Sequence, residues 1–112
     1  MYSKYQARAK VTAAMAELTA MKVPFEDVIS QGETPTIANV APAGETSTNH
    51  CALSVTGTTQ AGGGSIVCTL HNAPGVVQGK TVTLTRDEAK GWSCKSSVTE
   101  DYLPKGCSGS AA

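Results

Sequence analysis

Aromatic side chains are scarce in this chain, making up 4% of 112 residues with a single Trp and a single Phe, so any core must be built from Ala, Val, Leu, Ile and Met. No apolar run reaches even ten residues near the start, which excludes a secretory signal core and a membrane-spanning helix in the sequence as it stands. Charge of one sign is also missing. Nine basic and nine acidic side chains cancel, with a sequence pI near 6.7, and this argues against binding driven by long-range attraction to nucleic acid or a membrane surface. No two cysteines lie close together either, because sixteen, twenty-five and twelve residues separate Cys51, Cys68, Cys94 and Cys107 in turn. A structural zinc site needs a ligand pair two to four residues apart, so that one turn delivers two thiolates. His50 and His71 have no motif around them, so neither metal nor cofactor is expected. Gly62-Gly63-Gly64 is not followed by Gly-Lys-Ser/Thr and reads as a turn, not a phosphate loop. No nucleophile–base pair is readable, Glu100 and Asp101 read as solvated loop charges, and the chain is not expected to be an enzyme.

What is present points to one small exported domain spanning 1–112. Four cysteines fit two disulfides and an oxidising compartment. Val11, Ala14, Met15, Leu18 and Met21 recur at steps of three and four, predicting an amphipathic helix over 3–23 that Pro24 ends. Lys4, Arg8 and Lys10 crowd its start, where cations oppose the helix dipole, as suits the middle of a longer helix better than a beginning. Ser3 to Gln6 fits a capping box and points the other way. With export expected and no leader seen, the reading is an N-terminally truncated chain with Met1 as an added initiator. Residues 31–64, rich in Thr, Ser, Gly, Pro and Asn, predict a long loop with at most one short strand near Ala52 to Thr56. From 65 to 94 the pattern alternates. Ile66, Cys68 and Leu70, then Val82 and Leu84, then Trp92 and Cys94 fall on one face, predicting an antiparallel meander with the helix as its cover. The expected fold is α+β, an N-terminal helix on a three- or four-stranded antiparallel sheet.

The chain closes on Gly91-Trp-Ser-Cys94 and Tyr102-Leu-Pro-Lys-Gly-Cys107, two cysteines bracketing a polar loop. Together with Tyr5-Gln-Ala-Arg-Ala-Lys-Val11 and Gln78-Gly-Lys-Thr-Val-Thr-Leu-Thr85, this ending resembles the major subunits of bacterial type IVa pili, and the order of elements resembles theirs over the whole chain. The pilin resemblance implies a disulfide-closed loop over 94–107. For the second pair the argument is arithmetic: of three pairings, only Cys51 with Cys68 and Cys94 with Cys107 closes two loops that do not overlap. The resemblance implies a structural role, a subunit of an extracellular pilus (fimbrium) serving cell adhesion, twitching motility, and DNA uptake or phage attachment. It also implies other pilin subunits as partners through the helix, an inner-membrane anchor in an apolar helix half with a methylated first residue, and a host-cell or abiotic surface as target. Val98, Thr99, Glu100, Asp101, Tyr102, Leu103, Pro104 and Lys105 are the expected receptor-binding residues, with Val98, Tyr102 and Leu103 as an apolar anchor. Two alternatives stand beside it: a minor pilin or secretion pseudopilin, and a small secreted disulfide-stapled binding domain.

Overall fold

The computed structural model describes residues 2–41, 44–58 and 63–109, and at 2, 3, 58 and 100 the backbone alone. Helix α1 runs from Tyr2 to Ser30, with Pro24 inside it. This corrects the expected end at Val23 and places Ser3 within the helix instead of at its cap. Proline removes one donor, the bond that residue 24 would give to the Ala20 carbonyl, but Ala20 is exposed and that carbonyl can turn to water. Meanwhile the apolar period continues through Phe25 and Val28, both buried, and their burial outweighs the lost bond. The helix stops instead at Gly32. Its φ is +78°, its N–H donates to the Ile29 carbonyl at 3.0 Å, and the Glu33 N–H donates to Val28 at 3.0 Å, the paired bonds of a Schellman stop.

The expected loop over 31–64 is also more ordered than its composition suggests. A helical turn, α2, spans Ile37–Val40, with the Thr36 N–H donating to Asn39 Oδ1 at 2.8 Å. Strand β1 covers Cys51–Thr58 and β2 covers Gly63–Leu70, so most of the second half of this segment is a hairpin. Its turn, including Gly62, lies outside the described residues. Strands β3 (Thr81–Asp87) and β4 (Gly91–Ser96) continue the antiparallel meander, and a two-residue β5 (Cys107–Ser108) adds to β4 in parallel. The sheet is therefore four antiparallel strands with one short parallel edge.

Register explains the core. Leu53, Cys68, Val82 and Ser96 form one row across four strands, and Val55, Ile66, Leu84 and Cys94 form the next. Side-chain alternation puts both rows on the same face, against Val11, Ala14, Leu18, Met21 and Phe25 of α1. Helix α1 packs over β2 and β3, while α2, through buried Val40 and Ala41, covers the β1 side. The long helix is thus not the only cover. Ser96 ends the first row, fully buried, and its hydroxyl donates to the Thr81 carbonyl at 2.7 Å, so the polar group has its partner.

Candidate functional site: the C-terminal disulfide-closed loop

The loop from 97 to 106 leaves the sheet at β4 and returns at β5. Cys94 and Cys107 are register partners, joined by a disulfide with 4.5 Å between their Cα atoms. A second disulfide joins Cys51 to Cys68 across β1 and β2. The start of the C-terminal loop is pinned by polar bonds. Val98 N–H donates to Ser96 Oγ at 2.9 Å, Ser97 N–H to the Thr81 carbonyl at 3.0 Å, and Thr81 N–H to Ser97 Oγ at 2.9 Å. A 3-10 turn follows over Glu100–Tyr102, with Tyr102 N–H donating to the Thr99 carbonyl. Arg8 then ties the turn to α1, its Nε–H donating to the Asp101 carbonyl at 2.7 Å.

Among the expected receptor-binding residues, the structure separates two groups. Thr99, Asp101 and Lys105 are exposed, Tyr102 and Leu103 are half-buried against the core, and Pro104 is half-buried beside them in the chain. Val98 is fully buried, so it cannot serve as a ligand anchor. Its place in a polar loop made it look free. In the fold it drops under the loop, where apolar burial favours it. The Glu100 side chain lies outside the described residues.

The helix cations, read from sequence only as an odd way to begin a helix, hold the loops instead. Besides Arg8, Lys10 donates to His50 Nδ1 at 2.9 Å and lies 3.4 Å from the Asn49 carbonyl. His50 Nε2 faces Glu17 Oε2 at 3.9 Å, Glu17 accepts from the Thr48 hydroxyl, and His71 Nε2 meets the Thr48 carbonyl. His50 therefore clasps α1 to the chain before β1, and His71 ties the end of β2 to that same stretch. Their partners are distant in sequence, 40 positions between Lys10 and His50 and 23 between His71 and Thr48, so no local motif announces them.

At the other end of the helix, Trp92 meets Phe25 edge to face with centroids 5.1 Å apart, and its Nε1–H donates to Glu26 Oε1 at 3.2 Å. Glu26 also pairs with Arg86, whose Nη2 lies 3.3 Å from Oε2. The hydrogen bond from Arg86 holds the Glu26 carboxyl below the usual carboxylate range, with the Trp92 donor adding to it.

The whole is a long helix laid on a four-stranded meander, with a cysteine-closed C-terminal loop tied back to the helix. It presents no assembled catalytic constellation among the described residues. A family model described as pilin (bacterial filament) matches residues 7–108. The chain belongs to the pilin family, and with the fold just described it is a type IV pilin. Among solved structures, the crystal structure of a Cs1 pilin chimera is similar with a TM-score of 0.75 and 25% identity, over 94% of this chain and 98% of that one. Pilins are structural subunits that assemble with other pilin subunits into an extracellular filament. No helix among the described residues is long and apolar enough to cross a membrane.

Proposed function

We propose that this chain is a major subunit of a type IVa pilus and that its C-terminal loop is a surface through which the filament attaches to host-cell or abiotic surfaces. The observation carrying this reading is that the loop is both exposed and held: Thr99, Asp101 and Lys105 stand out from a segment fixed by the Cys94–Cys107 bridge, the Ser96 and Ser97 bonds and the Arg8 clasp. A pre-ordered loop loses less freedom on binding, so a small contact suffices. The contact set is Thr99 to Lys105, without Val98. Lys95 and Lys105 stand against Glu100 and Asp101, so steering at distance is weak and attachment should depend little on salt. Twitching motility, DNA uptake, phage attachment and anchoring in the inner membrane before assembly accompany the same reading through the resemblance.

The test is made in filaments. Thr99→Ala, Asp101→Ala and Lys105→Ala, combined in the full-length subunit of a piliated cell, should leave pilus yield unchanged and lower attachment to epithelial cells or steel. Normal attachment with all three replaced would remove the loop from adhesion. Absence of filaments from cells expressing the unaltered full-length subunit would count against the major-subunit reading itself.

A further inference from the structure

Beside the C-terminal bridge, on the flank facing α1, a cavity of about 220 Å³ opens between the helix, the sheet and the end of the loop, lined among others by Met15, Lys22, Leu84, Trp92, Cys94 and Lys105. Two of its features are unusual together. The first is a pair of cations that form no ion pair among the described residues. Helical spacing offers Lys22 the Glu26 carboxylate one turn on. That carboxylate is occupied by Arg86 and by the Trp92 indole N–H. Lys22 instead places Nζ 5.7 Å from the centroid of the Trp92 ring. Lys105, at the other wall, has no carboxylate partner among the described residues. The second feature is the indole itself. Phe25 and Glu26 fix its orientation from the core side, leaving a half-buried aromatic surface at the cavity.

Two ammonium groups in a concave site select a compact anion such as a carboxylate. An indole face, negative at its centre, attracts the slightly positive C–H bonds along one side of a sugar ring. Ser93 contributes a hydroxyl to the lining, and the backbone at Gly106 has open space where a side chain would stand, so neutral hydrogen-bonding groups are available for ring hydroxyls. The volume is of the size of one sugar ring. We propose that this cavity binds a single carboxylate-bearing sugar unit, a uronic or sialic acid ring, with Lys22 and Lys105 on the carboxylate and Trp92 against the ring. The site shares Lys105 with the attachment surface proposed above but goes beyond it, since it needs neither Thr99 nor Asp101 nor a filament.

Because Trp92 is the only tryptophan, its fluorescence reports the cavity directly. Titration of the intact subunit with galacturonate should give a saturable change, and galactose should give none. The double substitution K22Q/K105Q should weaken binding by about tenfold or more, the worth of one lost charge-assisted bond. K4Q/K95Q, which removes the same charge elsewhere, should leave it unchanged. Equal response to galactose, equal weakening in both double variants, or no saturable change at millimolar galacturonate would overturn the proposal. So would inorganic phosphate or oligothymidylate binding as tightly, which would mark a general anion site or a nucleic-acid contact. Loss of cell attachment in a Thr99→Ala/Asp101→Ala variant, which keeps Lys105, with galacturonate binding intact would show the two surfaces to be separate, so either can fail alone.

Discussion

The two disulfides close loops of similar size, with sequence separations of 17 and 13, yet they do different things. Cys51 and Cys68 are both fully buried and link two strands already paired over eight residues, in the row-forming heart of the sheet. Cys94 and Cys107 lie nearer the surface and hold a parallel pairing only two residues long. Chain entropy alone would credit each bridge with about 3 kcal/mol. The native surroundings decide the rest: the first bridge reinforces a structure that exists around it, while the second largely creates the local structure it sits in.

The sharpest test of this contrast replaces each pair. Cys51→Ser with Cys68→Ser should cost about 5 kcal/mol, since it loses the cross-link and buries hydroxyls in an apolar row, and denaturant titration should show most of the domain's stability gone. A loss no larger than that from the other pair would end the distinction. Gly64 probes the same region. A Cβ there would lie 2.4 Å from the Thr56 carbonyl oxygen and 2.8 Å from Phe25 Cζ, at φ +153°, so Gly64→Ala should cost about 3 kcal/mol or more.

In the C-terminal region the expected effects are smaller. Cys94→Ser with Cys107→Ser should cost about 2–3 kcal/mol, with hydrogen exchange accelerated from 97 to 108 and little changed in β2 and β3. Uniform acceleration through the sheet would show the second bridge to be as central as the first. Gly106, at φ +92° with open space around it, should lose only about 1 kcal/mol on change to Ala, from backbone conformation alone. Least of all is the acid response at Glu26. Its pKa lies below the ordinary 4.5, so the stability it contributes is present above that value and is lost as pH falls through the folded-state pKa. With its side chain 46% exposed, the contribution should be under about 1 kcal/mol, and Glu26→Gln should flatten the acid limb of a melting-temperature profile slightly. An unchanged acid limb would remove Glu26 from the account, leaving Asp87, whose carboxyl is lowered by the backbone N–H groups of Ala89 and Lys90.

Much of this architecture could be read in advance where the physics is local. The Val11, Ala14, Leu18, Met21 stripe and the alternation of Ile66, Cys68, Leu70, Val82 and Leu84 are one-face patterns that survive folding unchanged. The reading failed where a local preference met a distant partner. Pro24 is a helix breaker by propensity, but Phe25 and Val28 had core positions to fill on its far side, and Gly32 was the stop signal to follow. Cys51 to Thr58 looked mostly like loop because Ala, Ser, Thr and Gly pack little by themselves. It is a strand because all eight residues find partners in β2. Val98 looked like surface until the loop folded over it.

By itself, then, the sequence determined the order of elements, the face each one buries and the fact that the cysteines stand far apart in the chain, since periodicity and spacing are properties of neighbours. Only the tertiary structure decided which side chains are free to act. Lys10 and Arg8 became clasps because His50, Asn49 and the Asp101 carbonyl arrived beside them, and Lys22 was left facing Trp92 because Arg86, sixty positions away from Glu26, took the carboxylate that helix spacing had offered it. Charge pairing over such separations depends on three-dimensional distance, and no periodicity along the chain encodes it.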